Sequence, residues 1–271
     1  MTYLNDLFSL EGQTAVISGG AGAIGTVMSS ALLRAGANIV VWSRTEASLA
    51  AFARDYAGQP TMQEKIHTTT VDAGDEKAVE KALDEATDCF GVPDILVNAV
   101  GGNQGKNPFV DIDVEQFKAV LEMNLCAGLV IPTKVFCKKW IEQSIQGSII
   151  NLTSMTSYIP LSGVWGYDAA KSATLNLTMA TANEFAPYGI RVNAIAPGFF
   201  LGKQNKALLI DEATGGYTER GQAVINRTPF RRFGKVSELA GATVFLASNR
   251  ASGFVTGLSL PVDGGYLIDN I

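Results

Sequence analysis

Short apolar runs alternate along this chain with longer segments in which apolar and polar residues are mixed. The runs are rich in Val and Ile and apolar at nearly every position, as in strands covered on both faces. The stretches between them have helical length. The runs fall at 14–18 (TAVIS), 38–42 (NIVVW), 67–71 (HTTTV), 94–98 (DILVN), 147–152 (GSIINL), 190–196 (IRVNAIA) and 258–262 (LSLPV). This alternation predicts an α/β fold of the Rossmann type, a doubly wound parallel sheet of about seven strands with helices on both faces.

One segment breaks this alternation. Residues 199–228 are long, polar and glycine-containing, and they lie between the sixth predicted strand and a later helix. Such insertions in a compact domain are usually functional. We therefore predict that 199–228 forms a lid over a substrate site. No linker, charge run or repeat divides the rest, so residues 1–271 are expected to form a single domain.

The composition narrows the choice of partners. With 47% hydrophobic residues the chain can bury a core, and its net charge of −5 gives no basic field for nucleic acid. No run reaches the roughly 18 uncharged apolar residues of a membrane span, so no membrane contact is expected. Asp6 and Glu11 interrupt what a secretory signal would need, and we expect a cytoplasmic protein. The single histidine and the three scattered cysteines predict no metal site, only buried, reduced thiols.

A glycine-rich turn joins the first predicted strand to the next helix. The sequence from Ser18 to Gly25 is SGGAGAIG. Small residues let the backbone approach a pyrophosphate, and a helix start offers unpaired N–H groups and a positive dipole end. On these residues alone, a dinucleotide site and a merely tight turn both remain open.

A second motif carries candidate chemistry. Tyr167 and Lys171 stand four residues apart in YDAAK, so a helix would place them on one face. A neighbouring ammonium favours the phenolate and is expected to lower the tyrosine pKa. The predicted strand before this helix ends in NLTSMTS, at the edge where doubly wound folds bind ligands.

Together these motifs resemble those of the short-chain dehydrogenase/reductase family from about Leu10 to Gly265. The family's TGxxx(G/A)xG loop matches SGGAGAIG. Its LVNNAG segment matches residues 96–101, with Ala99 and Val100 in place of Asn-Ala, and its Pro-Gly turn matches IAPGFF at 195–200. The resemblance implies NAD(P)-dependent hydride transfer between nicotinamide and a small secondary alcohol or ketone. It also implies the catalytic residues Asn124, Ser154, Tyr167 and Lys171, with Asn124 holding a water that connects the lysine to solvent. Ser154 is the residue of NLTSMTS in the register of the family's catalytic serine and would donate to the substrate oxygen. Its neighbours Asn151, Thr153, Thr156 and Ser157 are expected to serve the sheet and loops.

The cofactor is expected to be NADP or NAD, with NADP favoured. Ser43 and Arg44 follow the second strand, where an NAD enzyme usually carries an acid, and both can bind a 2′-phosphate. A solvated Arg44 is the alternative. Gly202 stands where many family members place a Thr that bonds the carboxamide. The implied cofactor-binding residues are Gly19, Ala21, Gly22, Ala23, Ile24, Gly25, Ser43, Arg44, Asp72, Ala73, Asn98, Ala99, Val100, Gly101, Tyr167, Lys171, Pro197 and Gly198.

The segments PGFFLGKQN and RTPFRRFG resemble those of family members that interconvert sugar acids, in particular D-mannonate and fructuronate. Lys203, Lys206 and Arg227 are the predicted partners of a substrate carboxylate. A gluconate 5-dehydrogenase-like activity, a 3-oxoacyl-thioester reductase and a non-catalytic nucleotide-binding sensor stay open as alternatives. The segment 252–266 resembles the family's interface tail, which implies a homotetramer.

Overall fold

The computed structural model describes residues 2–161, 163–202, 209–211 and 214–269. Its centre is one sheet of seven parallel strands in the order β3-β2-β1-β4-β5-β6-β7. The strands are β1 Thr14–Ser18, β2 Asn38–Ser43, β3 Ile66–Thr70, β4 Ile95–Asn98, β5 Ser148–Leu152, β6 Arg191–Pro197 and β7 Ser259–Val262. The predicted doubly wound sheet is confirmed, and each strand lies within a few residues of its apolar run.

Helices connect the strands and cover both faces of the sheet. Short 3₁₀ turns occur at Phe109–Asp111, Met155–Ser157, Ala186–Tyr188, Val236–Leu239 and Tyr266–Ile268. The π-helical segment Glu122–Val130 joins two α-helices into a continuous run. The α-helices are α1 Tyr3–Phe8, α2 Ala23–Arg34, α3 Glu46–Arg54, α4 Pro60–Gln63, α5 Glu76–Phe90, α6 Val114–Leu121, α7 Ile131–Gln143, α8 Trp165–Phe185, α9 Glu219–Arg227, α10 Ala240–Ala247 and α11 Asn249–Ser252.

The core lies in two layers, one on each side of the sheet. Successive side chains of a strand point to opposite faces. In β1, Ile17 packs on one side and Val16 on the other, and both are fully buried. Every residue of β1, β5 and β6 is buried, which explains why apolar residues occupy adjacent as well as alternate positions in these strands.

The helical run 114–143 differs from the expectation drawn from the sequence. It is long enough and apolar enough to cross a membrane, with a mean hydropathy of 1.5 over its most apolar window. The run contains charged residues such as Glu122 and Lys134, whereas the sequence expectation considered only uncharged stretches. The window is 56% buried inside the protein, and Phe136 and Trp140 are fully buried against the sheet. We therefore assign the run as a core helix.

The cysteines also depart from expectation. Cys137 is buried, but Cys126 is half-buried and Cys89 is exposed. Cys89 lies in the last turn of α5, beyond Ala86, the last buried residue of that helix. Within the described residues, no cluster of His, Cys, Asp and Glu could hold a metal ion.

The order of the strands fixes where a ligand can bind. The chain moves outward from β1 through β2 to β3 and then returns to add β4 on the other side of β1. At such a switch point the loops after β1 and β4 diverge and leave a crevice at the carboxyl edge of the sheet. The two loops still meet closely below it, because a Cβ on Gly19 would lie 2.8 Å from the backbone of Ala99.

Candidate active site

A cavity of about 440 Å³ lies at this carboxyl edge. It extends from the start of α2 to the loops after β5 and β6 and to the described part of the predicted lid. Residues predicted from five separate segments of the sequence meet in its wall. They are Gly22, Ala23, Ile24, Gly25, Ala99, Val100, Gly101, Ser154, Tyr167, Lys171, Pro197 and Gly198.

The start of α2 presents backbone amides to this cavity. Gly22 is the N-cap, it has no side chain that could cap the helix, and the first turn contains no acidic residue. An α-helix leaves its first amides without internal partners. Gly25 must lack a side chain, because a Cβ there would lie 2.2 Å from the Gly19 carbonyl oxygen. This open, positive helix end fits a dinucleotide pyrophosphate.

The remaining predicted cofactor residues lie outside the wall of the cavity. Gly19 and Ala21 form the turn that leads to α2, with Gly19 at φ +76°. Ser43 ends β2, and Arg44 follows it with its side chain exposed. Asp72 is exposed and accepts a hydrogen bond from the Gly74 amide at 3.0 Å, whereas Ala73 is buried in the core.

Asn98 occupies a different place from the one expected for a cofactor-binding side chain. It is only 1% exposed, and its Nδ2 donates to Thr133 Oγ1 at 3.1 Å and to Asn151 Oδ1 at 2.9 Å. Asn151 in turn donates to Thr178 Oγ1 at 3.0 Å. The Asn98 side chain therefore ties β4 to β5 and to α7 inside the fold. A contact with the cofactor would come from its backbone, and this role of Asn98 stays a prediction.

Ser154 is placed by the end of β5. It is the N-cap of the 3₁₀ turn Met155–Ser157, and its Oγ accepts a hydrogen bond from the Thr156 amide at 3.2 Å. The same hydroxyl is hydrogen-bonded to the phenol of Tyr167. Tyr167 lies in the first turn of α8, where the neighbouring Gly166 leaves room for α6, since a Cβ there would lie 3.2 Å from the Phe117 carbonyl oxygen.

Lys171 lies one turn further along α8, as the YDAAK spacing predicts. Its Nζ donates to the Leu152 carbonyl oxygen at 2.8 Å and lies 5.6 Å from the centre of the Tyr167 ring. Ser157 Oγ donates to the Lys171 carbonyl oxygen at 2.6 Å and accepts from the Ser154 amide at 3.3 Å. These bonds hold the loop that carries Ser154 and Ser157 against α8. The role expected of Ser157 as a loop hydrogen bonder agrees with these contacts.

The electrostatics of this group differ from the expectation of a lowered tyrosine pKa. Burial raises the pKa of Tyr167, the hydrogen bond from Ser154 acts in the opposite direction, and the charge of Asp168 raises it further. Burial also lowers the pKa of Lys171 to about 8. The protein's own groups therefore keep the phenol protonated at neutral pH, since desolvation outweighs the favourable contacts.

Asn124 lies in the π-helical segment and is 1% exposed. Its Nδ2 donates to the carbonyl oxygens of Gly102 at 2.7 Å and Val120 at 2.9 Å, and its Oδ1 accepts from the Gly102 amide at 3.0 Å. A Cβ on Gly101 would lie 2.6 Å from Asn124 Oδ1 and 3.2 Å from Lys171 Nζ. Asn124 thus holds the loop after β4 beside the lysine, and local π-helix is common at functional sites.

Asp168 is a residue that the sequence reasoning missed. Its Oδ2 accepts a hydrogen bond from the Leu161 amide at 3.1 Å, and Leu161 lines the cavity. Burial raises the pKa of this carboxyl to about 6. Its position next to Tyr167 in YDAAK was the available signal, but the sequence did not show that the side chain is buried.

The predicted lid is described only in part. Lys203 and Lys206 lie outside the described residues. Arg227, at the end of α9, lies over the ring of Tyr266 at 5.3 Å and is absent from the cavity wall, so its prediction as a carboxylate partner is corrected. Arg220, in the first turn of the same helix, does line the cavity. The sequence reasoning did not select Arg220.

Similarity to known proteins extends over nearly the whole chain. The family model described as "Enoyl-(Acyl carrier protein) reductase" matches residues 19–267. The oxidoreductase UxuB of Bacillus subtilis, which is named as uncharacterized, is 37% identical, with 96% of each chain covered. A solved structure of a candidate D-mannonate oxidoreductase from Haemophilus influenza with bound NAD is 31% identical and has a TM-score of 0.89, covering 98% of this chain and 99% of that one. A gluconate 5-dehydrogenase from Burkholderia cenocepacia, solved with NADP and tartrate, is 33% identical and has a TM-score of 0.86, covering 97% of this chain and 98% of that one.

Proposed function

The chain belongs to the short-chain dehydrogenase/reductase family, and we propose that it interconverts the ketone and secondary alcohol forms of a short sugar acid. A nicotinamide dinucleotide is the hydride carrier. The observation that carries this proposal is a single cavity in which Ser154, Tyr167 and Lys171 face the open amide end of α2. A nucleotide-binding sensor without catalysis would not need Ser154, Tyr167 and Lys171 in one cavity.

The chemistry follows from the position of the two hydroxyl groups. When it is bound, the nicotinamide supplies the hydride for reduction or accepts it during oxidation. Negative charge then develops on the ketone oxygen. Ser154 Oγ and Tyr167 Oη are hydrogen-bonded to each other, so both can face one substrate oxygen. Ser154 stabilises the developing charge, and Tyr167 donates the proton.

The raised pKa of Tyr167 favours reduction at neutral pH, because the phenol retains the proton that it must donate. Lys171 acts beside it as a buried cation whose Nζ is held by the Leu152 carbonyl oxygen. Asn124 positions the Gly101–Gly102 backbone next to that amine. In this proposal Tyr167 and Lys171 act on the proton, and Asn124 fixes the cavity wall beside them.

The cofactor preference rests on Arg44. In the described part of the chain its side chain is exposed and has no hydrogen bond or ion pair, and no acid stands at the end of β2 to repel a phosphate. Arg44 and Ser43 can therefore bind the 2′-phosphate of NADP. The two solved relatives hold NAD in one case and NADP in the other. We propose NADP as the preferred cofactor and NAD as the weaker one.

The substrate class rests on charge and on the relatives. Among the described residues, the wall of the cavity contains two cationic side chains, Lys171 and Arg220, and no carboxylate, although the chain carries a net charge of −5. The solved relatives are named for mannonate and gluconate, both sugar acids. We propose fructuronate reduced to mannonate as the first candidate, with a gluconate-type 5-keto acid next. The description of the family model keeps a thioester reductase as a second candidate.

Three broader features complete the proposal. Residues 1–271 act as one domain, with 199–228 as its lid. The exposed apolar residues Phe109, Val110 and Val114 beside α6 support a homotetramer, which sedimentation velocity would test. The exposed free thiol of Cys89 suits the reducing cytoplasm.

A substrate panel tests the function. Initial rates would be followed by the absorbance of the reduced nicotinamide, with NADPH and NADH in turn, for fructuronate, 5-ketogluconate, fructose and a 3-oxoacyl thioester. We expect the highest kcat/KM for a keto sugar acid with NADPH. Faster reduction of the thioester would replace the proposal with the second candidate, and equal rates with NADH would remove the role of Arg44.

A further inference from the structure

We propose that Arg220 is the residue that binds the substrate carboxylate. This inference rests on the proposed function and names the group that would select an acid over a neutral ketone. Arg220 lies in the wall of the same cavity as Ser154 and Tyr167. It is the one guanidinium among the described residues of that wall.

Among the residues that the structure describes, Arg220 has no anionic partner. The ion pairs of the described residues involve Arg232 and Arg250, but not Arg220, and no hydrogen bond of its side chain occurs in the described part of the chain. Glu219 precedes it directly, but adjacent helical residues point in different directions and Glu219 does not line the cavity. A guanidinium that faces a cavity without a partner is available to form two parallel hydrogen bonds with a carboxylate.

The helix that carries Arg220 is fixed in place. Thr218 caps α9 by accepting a hydrogen bond from the Gly221 amide at 3.0 Å. Val224, one turn after Arg220, is buried in a small apolar cluster with Leu209, Ile225 and Phe233. Gly221 packs so closely on the Leu209 carbonyl oxygen that a Cβ would lie 2.1 Å from it. Arg220 therefore approaches the cavity from a packed element.

The position of this cation in its helix is also unusual. Arg220 lies in the first turn of α9, where the helix dipole disfavours positive side chains and favours anions. A stabilising arrangement would place an arginine at the other end, as Arg227 is placed. An anion bound in the cavity would contact both the guanidinium and the positive end of α9. Anion binding therefore accounts for an arginine in the first turn of this helix.

Two anions could occupy this position: a substrate carboxylate or a phosphate of the cofactor. The open amide end of α2, at Gly22 to Gly25, already offers a phosphate site elsewhere in the same wall. Arg220 is instead carried by the segment that follows Phe199 and Phe200, which also line the cavity. Placement on the predicted lid favours the substrate.

The test compares Arg220→Met with Arg227→Met, which removes the same group from the same helix but outside the cavity. Both would be assayed with a keto sugar acid, with the matching neutral keto sugar and for cofactor KM. We expect Arg220→Met to raise KM for the acid by about 30-fold, while KM for the neutral sugar and the cofactor changes by less than about threefold. Arg220→Lys should recover part of the loss, and Arg227→Met should resemble the wild type.

Equal losses on acid and neutral substrates, or a loss confined to cofactor KM, would overturn the inference. A second readout separates it from the proposed function. Titration calorimetry would measure the binding of tartrate, a short hydroxy acid, to the wild-type holoenzyme and to the holoenzyme of the Arg220→Met variant. Tartrate binding that needs Arg220 supports the inference even if the panel finds no sugar acid turnover. Equal tartrate binding by both proteins would contradict it.

Discussion

The floor of the cavity and its lid side are built in different ways. The floor, formed by the end of β5 and the start of α8, holds its polar groups with buried hydrogen bonds, such as Lys171 Nζ to the Leu152 carbonyl oxygen at 2.8 Å. The lid side depends on a small apolar cluster around Val224, which is separate from the two main core clusters. Its cation Arg220 has no partner among the described residues. This difference indicates that residues positioned by the sheet determine the reaction. The choice of substrate depends on α9, which can vary without changing the sheet.

The strongest test of the floor is the removal of one hydroxyl group. Tyr167→Phe should lower kcat by about a thousandfold or more, because the transferable proton is lost while the ring remains. Cofactor affinity, measured by fluorescence of the reduced nicotinamide, should change by less than about threefold. Tyr158→Phe makes the same change at a 43% exposed ring outside the cavity wall and should act like the wild type. Substantial turnover by the Tyr167 variant would place the proton donor elsewhere.

The two regions should also differ in their response to pH. Burial lowers the pKa of Lys171 to about 8, so its positive charge is present below that pH and lost above it. The kcat of ketone reduction should therefore fall by about tenfold per pH unit above about pH 8. The preference for an acid over a neutral ketone rests on Arg220 rather than on Lys171, so this preference should stay constant over the same range. A preference that falls together with kcat would show that the floor also selects the substrate.

The smallest effect is expected from loosening the lid cluster. Val224→Ala removes packing under Arg220 and should raise KM for the acid about threefold, with kcat nearly unchanged. The matched change Val192→Ala, at a fully buried position in β6, should leave KM unchanged. It should instead lower Tm by several degrees, because it opens a cavity in the main core. If Val224→Ala lowers kcat as strongly as it raises KM, the lid and the floor are not independent.

The fold and the reacting groups could be predicted from the sequence because they depend on local patterns. Continuous apolar runs identified the strands, and the four-residue spacing of Tyr167 and Lys171 placed them on one face of a helix. The side-chain contacts of Asn98 and Asp168 could not be predicted in this way. The Asn98 side chain bonds to Thr133 and Asn151, which are distant in sequence. The place of Asp168 depends on how the loop at Leu161 folds back onto the start of α8.

The choice among the lid cations shows the same limit. Arg220 and Arg227 stand seven residues apart on one helix and have the same chemistry, so composition cannot separate them. Only packing shows that Arg227 lies over the ring of Tyr266 while Arg220 faces the cavity. The direction of the Tyr167 pKa also depends on packing, because burial outweighs the hydrogen bond from Ser154.

The central claim is that this site reduces the ketone of a sugar acid and selects it by its carboxylate. The most direct measurement is a competition in one vessel that contains the wild-type enzyme and a reduced nicotinamide cofactor carrying deuterium at its transferable position. Fructuronate, fructose and a 3-oxoacyl thioester would be present in equal amounts. Mass spectrometry and NMR would locate the deuterium in the products. The account predicts deuterium on the carbinol carbon of the sugar acid, in at least tenfold excess over the neutral sugar. Deuterium on a carbon chain of the thioester, or equal labelling of acid and neutral sugar, would contradict it.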